Sequence, residues 1–128
     1  MSEVVLDASA ILAIINQEPG AEKLTHELLA NAVCSTVNLA EVQATLVKRG
    51  WSADEAWEDA TSPIRKVIPF TERHARIAGS LVALAQSRGL SPGDRACIAL
   101  GIALRAPIYT AQKSWSKLRM SERLHVIR

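Results

Sequence analysis

Asp7, Glu41 and Asp94 are the residues of this 128-residue chain whose type and setting could do chemistry. Asp7 ends an apolar run, Glu41 opens a helical pattern after a second such run, and Asp94 opens the helical pattern before a third. Taken singly, an acid in the first turn of a helix caps free backbone amides and complements the helix dipole, worth about 0.3–1 kcal/mol through the dipole. Taken together, they suit a different task. A hard cation such as Mg2+ takes oxygen ligands, and catalytic Mg2+ sites use one or two protein carboxylates together with waters and substrate phosphates. Clustered carboxylates repel one another without a cation. A bound cation removes that repulsion, polarises a phosphoryl oxygen and lowers the pKa of a coordinated water, which is the chemistry of phosphodiester hydrolysis.

The elements that must position these acids can be read from hydrophobic spacing. Val4, Val5 and Leu6 read as a strand ended by Asp7, and ASAILAIIN as a helix packed on a sheet. Pro19 and Gly20 interrupt that pattern, and Leu24, Leu28 and Leu29 restart it as a helix over 21–29. Residues 32–35 form a second strand, and Asn38 is an N-cap type for a helix that carries Glu41, Val42 and Leu46 and stops at Gly50. Ser52 with Glu55 reads as a capping box for a helix over 53–60, and 66–70 (KVIPF) as a strand whose proline suits an edge. Thr71 caps a predicted helix to about Arg88, with Ala75, Ala78, Leu81, Val82 and Ala85 facing inward. Ser91-Pro92-Gly93-Asp94 starts a helix that is apolar nearly all round and therefore central to the core, and 107–110 and 125–127 read as the last two strands. Strands alternating with helices predict a single α/β domain over 1–128. Its parallel sheet of about four to five short strands would be covered by helices on both faces and joined by right-handed crossovers. In such sheets ligands bind at the carboxyl ends of strands, where all three acids are expected.

Composition narrows the class. A hydrophobic content of 48% supports one core without staples, and 22% charged residues without low-complexity runs argue against disorder. Cys34 and Cys97 lie in apolar settings that suit buried thiols in a reducing compartment, and no stretch has the length of a membrane span, so the expected location is cytoplasmic. Net charge is only +2, but residues 101–128 hold Arg105, Lys113, Lys117, Arg119, Arg123 and Arg128 against Glu122 alone. That basic end can meet phosphates or simply be a solvated face. His26, His74 and His125 lack ligand spacing and receive no role. Trp51 and Trp57 are read as packing or protein-interface residues; Trp115, beside Lys113 and Lys117, is the better candidate of the three for a ring that faces nucleic acid, but packing is the preferred reading there too.

Four segments, VVLDASAILAII, STVNLAEV, LSPGDRACIALGIAL and PIYTAQKSW, resemble in order and separation the successive motifs of PIN-domain ribonucleases, specifically VapC-type toxins of bacterial toxin–antitoxin pairs. The resemblance spans nearly the whole chain. It implies a Rossmann-like parallel sheet, Mg2+- or Mn2+-dependent endoribonuclease activity, homodimerisation and inhibition by a VapB-type antitoxin. On this resemblance Asp7 and Asp94 are the metal-binding aspartates, Glu41 is the third acid, which binds metal directly or through water and orients the nucleophile, and Ser9 and Thr110 support the site by hydrogen bonding. Lys113, Lys117 and Arg119 would guide the RNA backbone. One position departs from the pattern: where the family reads Thr-Ala-Asp, this chain reads Thr110-Ala111-Gln112. A glutamine offers a carbonyl oxygen but removes a negative charge, which weakens a second metal position. The alternative is a module that binds RNA or antitoxin with weak or no catalysis. A haloacid-dehalogenase-like phosphatase fits less well, because Ser9 stands where that family needs a second aspartate.

Overall fold

The computed structural model describes residues 2–83, 89–118, 120 and 123–128. Its elements in chain order are β1 (Val4–Leu6), α1 (Ala8–Ile15), a 3-10 turn (Ala21–Lys23), α2 (His26–Leu29), β2 (Ala32–Ser35) and α3 (Thr36–Lys48). There follow α4 (Ala53–Thr61), β3 (Lys66–Ile68), α5 (Glu72–Ser80), α6 (Pro92–Leu104), β4 (Ile108–Thr110), a second 3-10 turn (Lys113–Lys117) and β5 (Leu124–Val126). Among the described residues no helix is long and apolar enough to cross a membrane.

Five strands form one sheet in the order β3-β2-β1-β4-β5, and every neighbouring pair is parallel. The chain builds outward from β1 to β2 and β3, then crosses to the far side of β1 to add β4 and β5. The strand order therefore reverses between β1 and β4, and a crevice opens at their carboxyl ends. Successive strand residues point to opposite faces, and here both faces are buried. Leu6, Ala32 and Cys34 pack with Ile11 of α1, Leu39, Val42 and Leu46 of α3, and Ala56 and Ala60 of α4. Val5, Val33 and Ile108 pack on the other face with Cys97, Ile98 and Leu100 of α6. The expected central helix is thus α6, and Cys34 and Cys97 are both free and buried.

Several boundaries differ from the sequence expectation for local reasons. The helix expected over 21–29 is split, because the Thr25 side chain accepts from Leu28 N and starts α2 afresh. The third helix begins at Thr36, since Ser35 rather than Asn38 is its N-cap, which moves Asn38 into the first turn. Strand β3 ends at Ile68, before Pro69, on the sheet edge. Helix α5 closes with Leu81 N bonded to Ala78 O; residues 82–83 are helical again, and the rest of the span expected to reach Arg88 lies outside the described residues. Its buried face is His74 and Ala78, whereas Ala75 and Val82 are exposed; Ala85 and Arg88 lie outside the described residues. Strand β5 starts at Leu124, one residue ahead of the expected 125–127.

The loop after α1 docks on the segment after β5. Gly20 has φ +96°, and a Cβ there would collide with the Ile127 carbonyl, whereas Gly50, with φ +104°, has open space. Arg128 also pairs with Glu18 at 2.8 Å. Both glycines pay the left-handed cost on replacement, about 1 kcal/mol, but only Gly20 adds a backbone collision. Gly20→Ala should therefore lower the melting temperature clearly more than Gly50→Ala, and equal shifts in thermal unfolding would contradict this docking.

Candidate active site

Asp7 lies at the carboxyl end of β1 and is 2% exposed. It caps α1: Oδ1 accepts from Ala10 N at 2.8 Å and from Ser9 Oγ at 2.7 Å. Its other oxygen, Oδ2, accepts from Thr110 Oγ1 at 2.6 Å and Gln112 Nε2 at 3.2 Å, both from the end of β4. The two hydroxyls are themselves held, because Ala111 N donates to Ser9 Oγ and Gln112 N to Thr110 Oγ1. A hydroxyl has one proton to give. Each spends it on Asp7, so the Ser9 to Thr110 contact of 3.2 Å is a consequence of their shared partner rather than a bond of its own.

Asp94 is the third residue of α6 and forms its capping box with Ser91: Oδ2 accepts from Ser91 N at 2.9 Å. Asp94 Oδ1 accepts from Gln112 Nε2, also at 2.9 Å. Capping and site-building are therefore not alternatives for these two acids. Each gives one oxygen to its helix and turns the other toward the same nitrogen of Gln112.

Glu41 comes from α3 and keeps an exposed side. Asn38 Nδ2 donates to Glu41 Oε1 and to Gly93 O, both at 2.9 Å, which ties α3 to the start of α6. Gly93 is buried, and a Cβ on it would collide with the Glu41 carboxylate. Only glycine lets that carboxylate lie against the first turn of α6.

The electrostatics follow from this packing. Burial pushes the Asp7 carboxyl above the ordinary carboxylate range, opposed by the hydrogen bonds from Thr110, Ser9, Ala10 and Gln112. Burial also raises Glu41; the Asn38 hydrogen bond opposes this, and the negative charges of Asp94 and Asp7 add to it. Glu41 thus feels both aspartates across the crevice. Yet among the described residues no group of three or more His, Cys, Asp or Glu side chains is close enough to hold one ion. The donor set fits a hard cation through Asp7 and Asp94, whose facing oxygens both reach a single nitrogen, with Glu41 further out.

Lys113 and Lys117 are exposed on the 3-10 turn that starts directly after Gln112, and Arg119 lies outside the described residues. Trp115 of the same turn is 1% exposed and packs in the core, so it presents no ring to a ligand. Trp51 and Trp57 are each 37% exposed, and Trp51 Nε1 donates to Asp59. His74 is buried in the capping box of α5, and His125 stacks on Tyr109 at 4.5 Å. Sequence spacing missed two contributors. Asn38 read as the N-cap of the third helix, the place that Ser35 takes, and Gly93 looked like a helix-start residue rather than the floor under Glu41.

The PIN domain family model matches residues 4–119. This chain belongs to the PIN domain family. Among curated proteins no sequence matches it. Solved structures do match in fold. They include VapBC2 from Rickettsia felis bound to a promoter DNA fragment, with a TM-score of 0.72, 21% identity and 98% of each chain covered. DNA-bound VapBC from Salmonella typhimurium gives a TM-score of 0.74 at 15% identity over 100% of both chains. VapC20 from Mycobacterium tuberculosis, a toxin that cleaves the sarcin-ricin loop, gives 0.73 at 19% identity, covering 89% of this chain and 93% of the other. The PIN domain described above shares their architecture from β1 to β5.

The hydroxyl network makes a pH-dependent prediction for this PIN domain. The Thr110 hydrogen bond favours ionised Asp7, so it contributes stability where Asp7 is charged and loses it as the pH falls through the raised pKa of that group. Thr110→Val leaves Gln112 N and an Asp7 oxygen short of a partner, at a cost of about 1–3 kcal/mol at pH 7–8. In denaturant titrations the deficit relative to wild type should shrink as the pH is lowered; a pH-independent deficit would contradict the Asp7 link.

Proposed function

We propose that this PIN domain is a Mg2+-dependent endoribonuclease, with Mn2+ an acceptable substitute, and that it acts as the toxin of a VapBC-type pair. The observation that carries the reading is the convergence of Asp7 and Asp94, from opposite sides of the switch point, on one nitrogen-sized space beside Glu41. A cation bound there would neutralise the aspartates, polarise the scissile phosphate and activate water. Asp7 and Asp94 would hold it, while Ser9, Thr110 and the start of α1 fix Asp7 in place. Glu41 orients the attacking water and takes its proton at Oε2, because Oε1 is committed to Asn38 and its raised pKa suits a base. Water adds to phosphorus as the bond to the leaving oxygen breaks. Lys113, Lys117 and Arg119 follow the phosphate backbone on the way in. The fold likeness to VapBC proteins supports a VapB-type antitoxin as partner, and the family resemblance implies a homodimer.

A second reading, a module that binds RNA or antitoxin without hydrolysis, draws on Gln112, whose amide fills the space between the aspartates. Calorimetry with Mg2+ separates the two, since the enzyme must bind the ion.

With structured RNA and antitoxin-free protein, cleavage should need Mg2+ and fall at least ~100-fold in Asp7→Ala. Cleavage that persists in EDTA would contradict the mechanism. Gly93→Ala offers a finer test. Alanine gains about 1 kcal/mol of helix propensity over glycine but displaces the Glu41 carboxylate. Cleavage should drop while Mg2+ affinity holds and the melting temperature does not fall; full activity would remove Glu41 from the reaction.

A further inference from the structure

We infer that the Gln112 side-chain amide is a neutral stand-in for the cation: it clamps Asp7 and Asp94 together in the metal-free protein and must be displaced when a cation enters. The inference rests in part on the metal reading of the site proposed above.

The geometry behind it is a single nitrogen with two anionic neighbours. Nε2 lies 3.2 Å from Asp7 Oδ2 and 2.9 Å from Asp94 Oδ1, and a primary amide has two protons, one for each oxygen. The assignment of nitrogen rather than oxygen to this position follows from its neighbours. Asp7 Oδ2 and Asp94 Oδ1 are carboxylate oxygens, and an amide oxygen turned toward both would meet only lone pairs.

The base of the side chain cannot drift, because Gln112 N donates to Thr110 Oγ1 at 3.0 Å and Gln112 O accepts from Trp115 N at 3.1 Å. Beyond that base the residue is only half-buried, so the amide is free to rotate away. A cation held by the same two oxygens needs the gap that Nε2 spans. The two are competing occupants.

This competition separates Gln112 from an aspartate at the same place. An aspartate would add a third negative charge to the pair, which leaves the metal-free site repulsive and raises its hunger for a cation. Glutamine does the reverse: the dipole and two protons settle the pair without an ion and oppose the ion's arrival. The residue is thus a positioning residue for the two aspartates, and it sets the metal concentration at which the site fills.

The test measures thermal unfolding in EDTA and Mn2+ binding by calorimetry for wild type, Gln112→Ala and Gln112→Asp. Without metal, both variants should melt below wild type, Gln112→Asp the lower of the two by several degrees, the shift of a lost charge-assisted contact in a small domain. Gln112→Ala should nevertheless bind Mn2+ about tenfold tighter than wild type, because the competitor is gone. A residue that merely supports the site would weaken both stability and binding, so weaker or equal Mn2+ binding by Gln112→Ala overturns displacement. Unchanged metal-free melting in both variants overturns the clamp. Should none of the three proteins bind Mn2+, the metal reading of the site falls and displacement with it, while the melting order in EDTA still decides the clamp.

Discussion

A carboxyl group that is 2% exposed at the end of the central strand has to be compensated, and the way Asp7 is compensated organises the rest of the molecule. Its four donors come from two segments that are far apart in the chain: the first turn of α1 and the end of β4. Those segments meet only because β4 is inserted beside β1, on the side away from β2. The crossover that places β4 there is also what brings α6 over the sheet, and α6 delivers Asp94. Burial of one charge, the reversal of strand order and the pairing of two aspartates are one arrangement.

The second tie runs between helices. Asn38 joins α3 to α6 through Glu41 and the Gly93 carbonyl, so the third acid is positioned by the same contact that fixes two core helices. The missing Cβ of Gly93 decides how close Glu41 comes. Its carboxyl feels Asp94 and Asp7 without joining them, which is the separation expected of a residue that works on a water rather than on a cation. The helix ends contribute as well. Asp7 and Asp94 each sit at the N-terminus of a helix, so two positive dipole ends face the crevice and favour anions there.

Much of this was legible in the sequence. Short apolar runs and helical spacing located all five strands and the central helix, because the inner strands, buried on both faces, read as unbroken apolar runs and α6 is apolar around its whole circumference. Asp7, Glu41 and Asp94 stood out only together: singly each reads as an acid at a helix start, and jointly they fall at the carboxyl edge of the expected sheet. What was hidden is tertiary. Spacing alone shows no difference between Ser35 and Asn38 as the cap of α3, and the loser became the bridge to Glu41. Trp115 sits beside two lysines, and the packing preferred for it holds: the 3-10 turn puts it in the core while Lys113 and Lys117 stay outside. The departure at Gln112 was visible as a lost charge, whereas its donation to both aspartates depends on the end of β4 and the start of α6 meeting in space.

The most direct test of the site is diffraction from crystals soaked in Mn2+, recorded at a wavelength where manganese scatters anomalously. The expected result is one anomalous peak bounded by Asp7 Oδ2 and Asp94 Oδ1, with the Gln112 amide rotated out and Glu41 reaching it through water. A map in which Nε2 still bridges the two aspartates, with manganese bound elsewhere or nowhere, would contradict a cation site at the switch point.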